Sequence, residues 1–126
     1  MSKLFCLILI LLLLPALASA QSGTTEFPAD AKPLETQALQ ERLKNQVFYI
    51  RIGRAESRME FKDNGYVFVN AANGSTDSGK WRVEGSSICS ELRRAAGGCS
   101  EVRLVVGELL YLKRLSNGEV VPFTSR

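Results

Sequence analysis

Few residues of this chain carry the usual catalytic chemistry, because its 126 residues include no histidine. Histidine is the most common general base, the partner of serine and cysteine nucleophiles, and the most common transition-metal ligand. Acid–base work on a glycoside would need two carboxylates, and the candidate pairs are Asp63 with Asp77 and Glu60 with Glu101. The spacing singles out neither pair, since each acid also fits a turn or an outward strand position. A hydrolase therefore stays a minor alternative, and we expect no enzyme activity and no cofactor.

The three cysteines of the chain are Cys6, Cys89 and Cys99. Cys6 lies in an apolar amino-terminal stretch that reads as a cleavable signal peptide. Cleavage would leave Cys89 and Cys99 as an even pair in the rest of the chain. A zinc site needs about four Cys, His or carboxylate ligands, which two thiols without histidine do not supply, so we expect no metal site. The alternative is a reactive thiol. The pair predicts a disulfide that closes a short loop and stabilises by roughly 3 kcal/mol in the chain-entropy model.

Arg93 and Arg94 are the most conspicuous exposed cations that the sequence predicts. They begin a basic, glycine-rich loop that ends at Gly98, and the disulfide would tether this loop between two strands. The two arginines are candidates for binding a partner with an anionic surface, such as lipid headgroups or a glycan. The alternative is a loop that is only solvated.

The aromatic residues Phe61, Phe68 and Trp81 are candidates for lining either a ligand cup or a packed core. Gly79-Lys80-Trp81 is similar to the G-x-W element of lipocalins, where it lies on the first strand and the tryptophan closes the barrel floor. Here the element begins about the fourth strand, which is predicted to run from Gly79 to Glu84 with Trp81 facing inward. This resemblance implies a carrier of a small apolar ligand. Because side chains alternate between the two faces of a strand, some aromatics must face outward, and those are candidates for partner binding.

A broader pattern of short phrases resembles small exported bacterial β-proteins of uncharacterised families. The phrases are Gly65-Tyr66, Gly79-Lys80-Trp81-Arg82-Val83, the two cysteines on successive strands, and Gly118-Glu119-Val120-Val121. The resemblance covers roughly residues 47–123. It implies a β fold and an exported location, and it implies no particular activity.

Residues 1–20 read as a cleavable signal peptide. Lys3 precedes an apolar stretch from Leu4 to Leu14, and Ala18-Ser19-Ala20 supplies the small-residue cleavage site. An uncleaved anchor is the alternative, but Pro15 interrupts a run shorter than the roughly 20 apolar residues that cross a bilayer. We therefore expect a periplasmic or secreted protein with no stable membrane anchor after cleavage.

The rest of the chain predicts a short leader and one domain. Residues 21–35 are polar and contain proline, which predicts a flexible leader. Residues 36–126 then predict a single β-rich domain, opened by a short helix with Thr36 as a plausible N-cap and Leu39 and Leu43 on its apolar edge.

After Asn45 the apolar residues recur with period two between close turn signals, of which Asp63-Asn64-Gly65 is the strongest. About eight short strands follow. Short connections favour antiparallel neighbours, so the predicted fold is an up-and-down meander that forms a small barrel or half-barrel. A two-sheet sandwich is the alternative, and Pro122 is read as belonging to an edge strand.

The charge balance is modest. Removing residues 1–20 takes away Lys3 and no acid, which leaves a net charge of +2. Proteins that bind nucleic acid usually concentrate more positive charge, so we expect no nucleic-acid partner. The sequence as a whole predicts an exported, non-enzymatic binding or interaction module with an unknown protein partner. The alternative is the carrier of a small apolar ligand.

Overall fold

The computed structural model describes residues 23–126, so the predicted signal peptide and Cys6 lie outside the described residues. One helix, α1 (Thr36–Leu43), and nine strands are found in this part of the chain. The strands are β1 (Lys32–Pro33), β2 (Gln46–Ile52), β3 (Ala55–Phe61), β4 (Tyr66–Asn70), β5 (Thr76–Glu84), β6 (Ser87–Leu92), β7 (Gly98–Val105), β8 (Leu109–Lys113) and β9 (Val120–Ser125).

Strands β2 to β9 form a closed antiparallel barrel. Each pairs with the strand that follows it in the chain, and β9 pairs with β2 to complete the ring. The predicted up-and-down meander is therefore confirmed, and it closes instead of stopping at a half-barrel or dividing into a sandwich. β1 is an extra strand that pairs with β7, with Lys32 opposite Leu104.

The alternation of side chains along the strands fills the inside of the barrel. Phe48 stacks on Phe123, with 4.4 Å between ring centroids, and the Phe61 ring meets Phe123 edge to face. Leu110, Leu112 and Val121 are buried in the same cluster. Burial of large apolar side chains is the dominant stabilising contribution in a domain of this size.

Helix α1 covers part of the core with Leu39 and Leu43, both fully buried. Its N-cap residue is Glu35, not Thr36, and Glu35 makes no side-chain capping hydrogen bond. The hydroxyl of Thr36 instead donates to the carbonyl of Gly85, 2.9 Å away, in the turn between β5 and β6. The helix is thus fixed to the barrel by a tertiary hydrogen bond, which its local sequence does not reveal.

Residues 23–35, which form most of the predicted leader of residues 21–35, contact the barrel at several points. The N–H of Val120 donates to the carbonyl of Thr24, the Arg103 guanidinium lies 4.4 Å above the Phe27 ring, and Leu34 packs against the core. Phe27 and Leu34, the two large apolar side chains of this segment, are partly buried against the barrel.

Two further strand predictions need correction. β5 begins at Thr76, three residues before the predicted start at Gly79, because the polar residues 76–78 pair with β4. β9 is not an edge strand, since it pairs with both β8 and β2. Pro122 lies opposite Tyr111 of β8 and outside the short ladder with β2, which involves Thr124 and Ser125.

No helix within residues 23–126 combines the length and the apolar character needed to cross a membrane.

Candidate functional site

Two aromatic side chains are exposed on the outer face of β4. Tyr66 is 46% exposed and Phe68 is 44% exposed, whereas Val67 between them points into the core and is fully buried. In the register with β5, Tyr66 lies opposite Lys80 and Phe68 lies opposite Ser78. Large aromatic side chains that remain in contact with water mark this face as a candidate binding surface.

A groove of about 630 Å³ runs beside Phe68 and is open to solvent. We call it the outer groove, and its lining residues are Phe68, Val69, Asn70, Thr76, Asp77, Ser78, Arg93 and Arg94. A second hollow of about 390 Å³ lies over Tyr66, Lys80 and Glu91 and shares Ser78 and Arg93 with the groove. The two hollows therefore adjoin on the outer surface of β4, β5 and β6.

Asp77 fixes the loop that carries the two arginines. Its Oδ2 accepts a hydrogen bond from the N–H of Ala95 at 2.8 Å, and its Oδ1 accepts one from the N–H of Arg93 at 3.1 Å. The N–H of Arg94 donates to both oxygens at 3.2 Å. Three successive backbone N–H groups around one carboxylate form an anion-binding nest within the protein itself. The loop is therefore fixed to β5, and its arginine side chains remain exposed.

The hydrogen bonds on Asp77 lower the pKa of its carboxyl below the ordinary value of 3.8. The N–H of Ala95 is the largest cause, partial loss of water opposes it, and the N–H groups of Ser78, Arg94 and Arg93 add to it. Hydrogen bonds that the charged form accepts favour that form. Asp77 is therefore an ionised structural anchor, which is the opposite of what a general acid requires.

Glu60 is also unsuited to acid catalysis. Its carboxylate lies 2.6 Å from the Lys62 ammonium and 3.4 Å from the Arg58 guanidinium. The hydrogen bond with Lys62 is the largest cause that lowers the pKa of Glu60. Glu101, its proposed companion, pairs with Arg103 at 2.8 Å. These acids serve surface ion pairs on the strands.

The predicted disulfide joins Cys89 of β6 to Cys99 of β7, which are paired residues in the register of these strands. Cys89 is buried and Cys99 is exposed. The Glu84 carboxylate lies 3.6 Å from the sulfur of Cys89 and 3.9 Å from that of Cys99. These three residues form a cluster of metal-ligand types, but bonded sulfurs offer no thiolates to a metal ion. The disulfide instead closes the base of the arginine loop.

Arg93 and Arg94 differ from most arginines of the protein in lacking a carboxylate partner. Seven of the ten arginines pair with an acidic side chain within 4 Å. Within residues 23–126, Arg93, Arg94 and Arg54 are the three that do not, and Arg54 lies elsewhere, in the turn between β2 and β3. The sequence predicted the exposure of Arg93 and Arg94, and the structure brings them to the outer groove.

The three aromatic candidates separate into two places. Phe61 is fully buried, and its ring lies 5.3 Å from the Trp81 ring, edge to face. Trp81 is 8% exposed and donates from Nε1 to the carbonyl of Lys62 at 2.8 Å. Phe68 cannot line an interior cup with them, because strand alternation places it on the outer face with Tyr66. The interior candidates pack against each other, and the exterior one lines the outer groove.

The Gly79-Lys80-Trp81 element has a packing explanation. A Cβ on residue 79 would overlap the backbone carbonyl of Glu91, so only glycine allows β5 and β6 to approach this closely. Trp81 then fills the interior, and Lys80 between them is exposed. The element reflects strand packing at this point of the barrel.

Comparisons with models of known protein families, with curated proteins and with solved structures give no match.

Asp77 is the residue of this site whose role the sequence does not reveal. The sequence offers it only as one half of a catalytic pair, whereas its partners are the backbone N–H groups of a loop 16 to 18 residues further along the chain. The sequence does contain two signals for this contact: an aspartate near the start of one strand, and a glycine-rich turn after the next strand. Only the strand register shows that the two meet.

Proposed function

We propose that this protein is an exported, periplasmic, non-enzymatic binding module that contacts its partner through the outer groove and the loop of residues 93–97. The observation that supports this proposal is the combination of two exposed aromatics with two arginines that lack a carboxylate partner. Such groups are the ones most enriched at energetically important contact points between proteins and their partners.

The rigidity of the loop supports the same surface. The disulfide closes the loop at its base, and the Asp77 carboxylate holds the backbone of Arg93, Arg94 and Ala95. A loop that is ordered before binding loses less conformational entropy when a partner arrives. Recognition by loops on a rigid sheet is common because the scaffold fixes their positions.

We propose a contact surface on the outside of the barrel because aromatic rings occupy its interior. Phe48, Phe61 and Phe123 pack ring against ring, and Trp81 closes on Phe61. A carrier of a small apolar ligand would need that space.

The disulfide supports export, since disulfides persist in oxidising compartments.

The test is capture of partners from the envelope fraction of the source cells by the purified protein. The double variant Arg93→Ser with Arg94→Ser should lose captured material that the wild type retains. The matched control is Arg54→Ser, which removes the other arginine without a carboxylate partner and should capture as the wild type does. Equal capture by all three proteins would contradict the proposed surface.

A further inference from the structure

The outer groove and the hollow that adjoins it carry one more positive than negative side chain. Arg93 and Arg94 have no carboxylate within 4 Å in the described part of the chain, whereas Lys80 lies opposite Glu91 in the register of β5 and β6. Of the acids on this face, Asp77 is held by backbone N–H groups and Glu91 lies 3.8 Å from Arg82. An anionic group that entered the groove would thus find uncommitted cations, and arginine binds carboxylate, sulfate and phosphate oxygens in a two-pronged geometry.

The same face offers flat apolar surfaces at a fixed spacing. Tyr66 and Phe68 are two residues apart on one strand, which places their side chains about 6.6 Å apart along the strand. Both rings are nearly half exposed. A ligand built from successive rings with apolar faces could cover both, and it would bury apolar surface by doing so.

Neutral polar groups lie between the aromatics and the arginines. Thr76 and Ser78 line the outer groove from β5, and Asn70 lines it from β4. Within residues 23–126 these three side chains make no hydrogen bond to another residue. They are therefore open to the hydroxyl groups of a ligand.

From these three features we infer that the ligand of the outer groove and of the hollow that adjoins it is an anionic glycan. Its sugar rings stack on Phe68 and Tyr66, its acidic groups pair with Arg93 and Arg94, and its hydroxyls bond to the neutral side chains. The inference rests on the proposed function and names the chemistry of the partner. A concave groove suits a polymer chain better than a flat lipid surface, and two such arginines on a protein of small net charge are fewer than a nucleic-acid track requires.

The experiment measures binding of the purified protein to four polymers at low salt: polygalacturonate, dextran sulfate, uncharged dextran and single-stranded oligo-dT. We expect the two anionic glycans to bind and uncharged dextran not to bind. Arg93→Ser with Arg94→Ser should weaken glycan binding by roughly tenfold or more, because two charge-assisted contacts are lost. Phe68→Ala should weaken it several-fold while the protein stays folded, because Phe68 lies outside the core.

Matched controls separate the groove from general surface effects. Arg54→Ser removes a comparable arginine, and Val106→Ser removes an apolar side chain that is 87% exposed in another loop. Both should bind polygalacturonate as the wild type does. Equal weakening by the control variants would overturn the inference, and so would oligo-dT binding that is tighter than glycan binding.

The outcomes also separate this inference from the proposed function. If neither glycan binds while envelope capture still depends on Arg93 and Arg94, the glycan inference is wrong and the binding surface stands. If capture is also independent of the two arginines, both are wrong.

Discussion

At the scale of single residues, Asp77 shows how one carboxylate can organise a site without taking part in it. It lies on β5, yet its hydrogen bonds go to the backbone of the loop that follows β6. An acid at this place is therefore needed for the shape of the arginine loop. The side chains that we propose to contact a partner belong to other residues.

Replacing Asp77 with Asn should loosen this loop and leave the barrel folded. Asn keeps one oxygen but turns an NH₂ group toward backbone N–H donors, which leaves some of them unpaired. We expect the amides of Arg93, Arg94 and Ala95 to exchange with solvent roughly threefold to tenfold faster, as hydrogen exchange followed by NMR would show. Asp63→Asn, in the turn between β3 and β4, is the control that should leave these amides unchanged.

The loop should also respond to acid in a defined direction. Since the folded pKa of Asp77 lies below 3.8, the loop hydrogen bonds are complete above that value. They weaken only as the pH falls through the lowered folded pKa. The NMR shifts of the Arg93 and Ala95 amides should thus be constant from about pH 7 to pH 5 and change below about pH 4. A transition near pH 6 would contradict the assignment of Asp77 as the anchor.

At the scale of elements, the hairpin of β6 and β7 is held both by its hydrogen bonds and by the disulfide. Cys89 and Cys99 face each other in the register, so the bond closes a short loop that contains the two arginines. A short covalent loop reduces the freedom of the unfolded chain less than a long one does.

Replacing Cys89 and Cys99 together with Ala should lower the free energy of unfolding by up to about 3 kcal/mol, as urea denaturation would measure. We expect the double variant to fold, because the core of the barrel includes many residues beyond Cys89. An unchanged urea midpoint would show that the bond does not constrain the unfolded chain. Glycan binding at low temperature should weaken as the loop becomes less ordered.

The sequence predicted the elements well where the alternation of side chains was regular. Asp63-Asn64-Gly65 marked the turn between β3 and β4, and the alternation about Trp81 placed that residue inside. The start of β5 was missed because Thr76, Asp77 and Ser78 are polar and look like a loop. β1 was missed because two residues with one proline carry no strand pattern, and only the edge of β7 gives them a partner.

At the scale of the whole molecule, closure of the barrel depends on its shortest ladder. β2 and β3 pair over seven residues each, whereas β2 and β9 pair only at Phe48 with Ser125 and at Tyr49 with Thr124. The local pattern of any one strand does not determine whether the last strand meets the first. This is why the sequence left a barrel, a half-barrel and a sandwich open.

The ladder between β2 and β9 should be the first to open. Few hydrogen bonds protect it, so we expect its amides to exchange roughly tenfold faster than those between β2 and β3. Arg126 stabilises the ladder between β2 and β9. It donates hydrogen bonds to both oxygens of Glu56 at 2.6 Å, and its guanidinium lies 4.2 Å above the Tyr49 ring.

Arg126→Ala should therefore speed exchange between β2 and β9 and leave the pairing of β2 with β3 unchanged. The control is Arg51→Ala, which removes another partner of Glu56, 3.3 Å away, without touching β9. The prediction fails if both variants act alike or if the two ladders of the wild type exchange at the same rate.

Closure of the ring also bears on how this protein behaves at high concentration. Each of the eight barrel strands has a neighbour on both sides, and the free edges that remain are short, as where β2 and β9 extend beyond their two-residue ladder. Exposed strand edges are the usual template for edge-to-edge aggregation. The outermost strand of the described chain is β1, which is two residues long and consists of a lysine and a proline, two residue types that discourage such pairing. The fold can thus expose aromatic rings on its outer face while offering little backbone to which a second copy could add a strand.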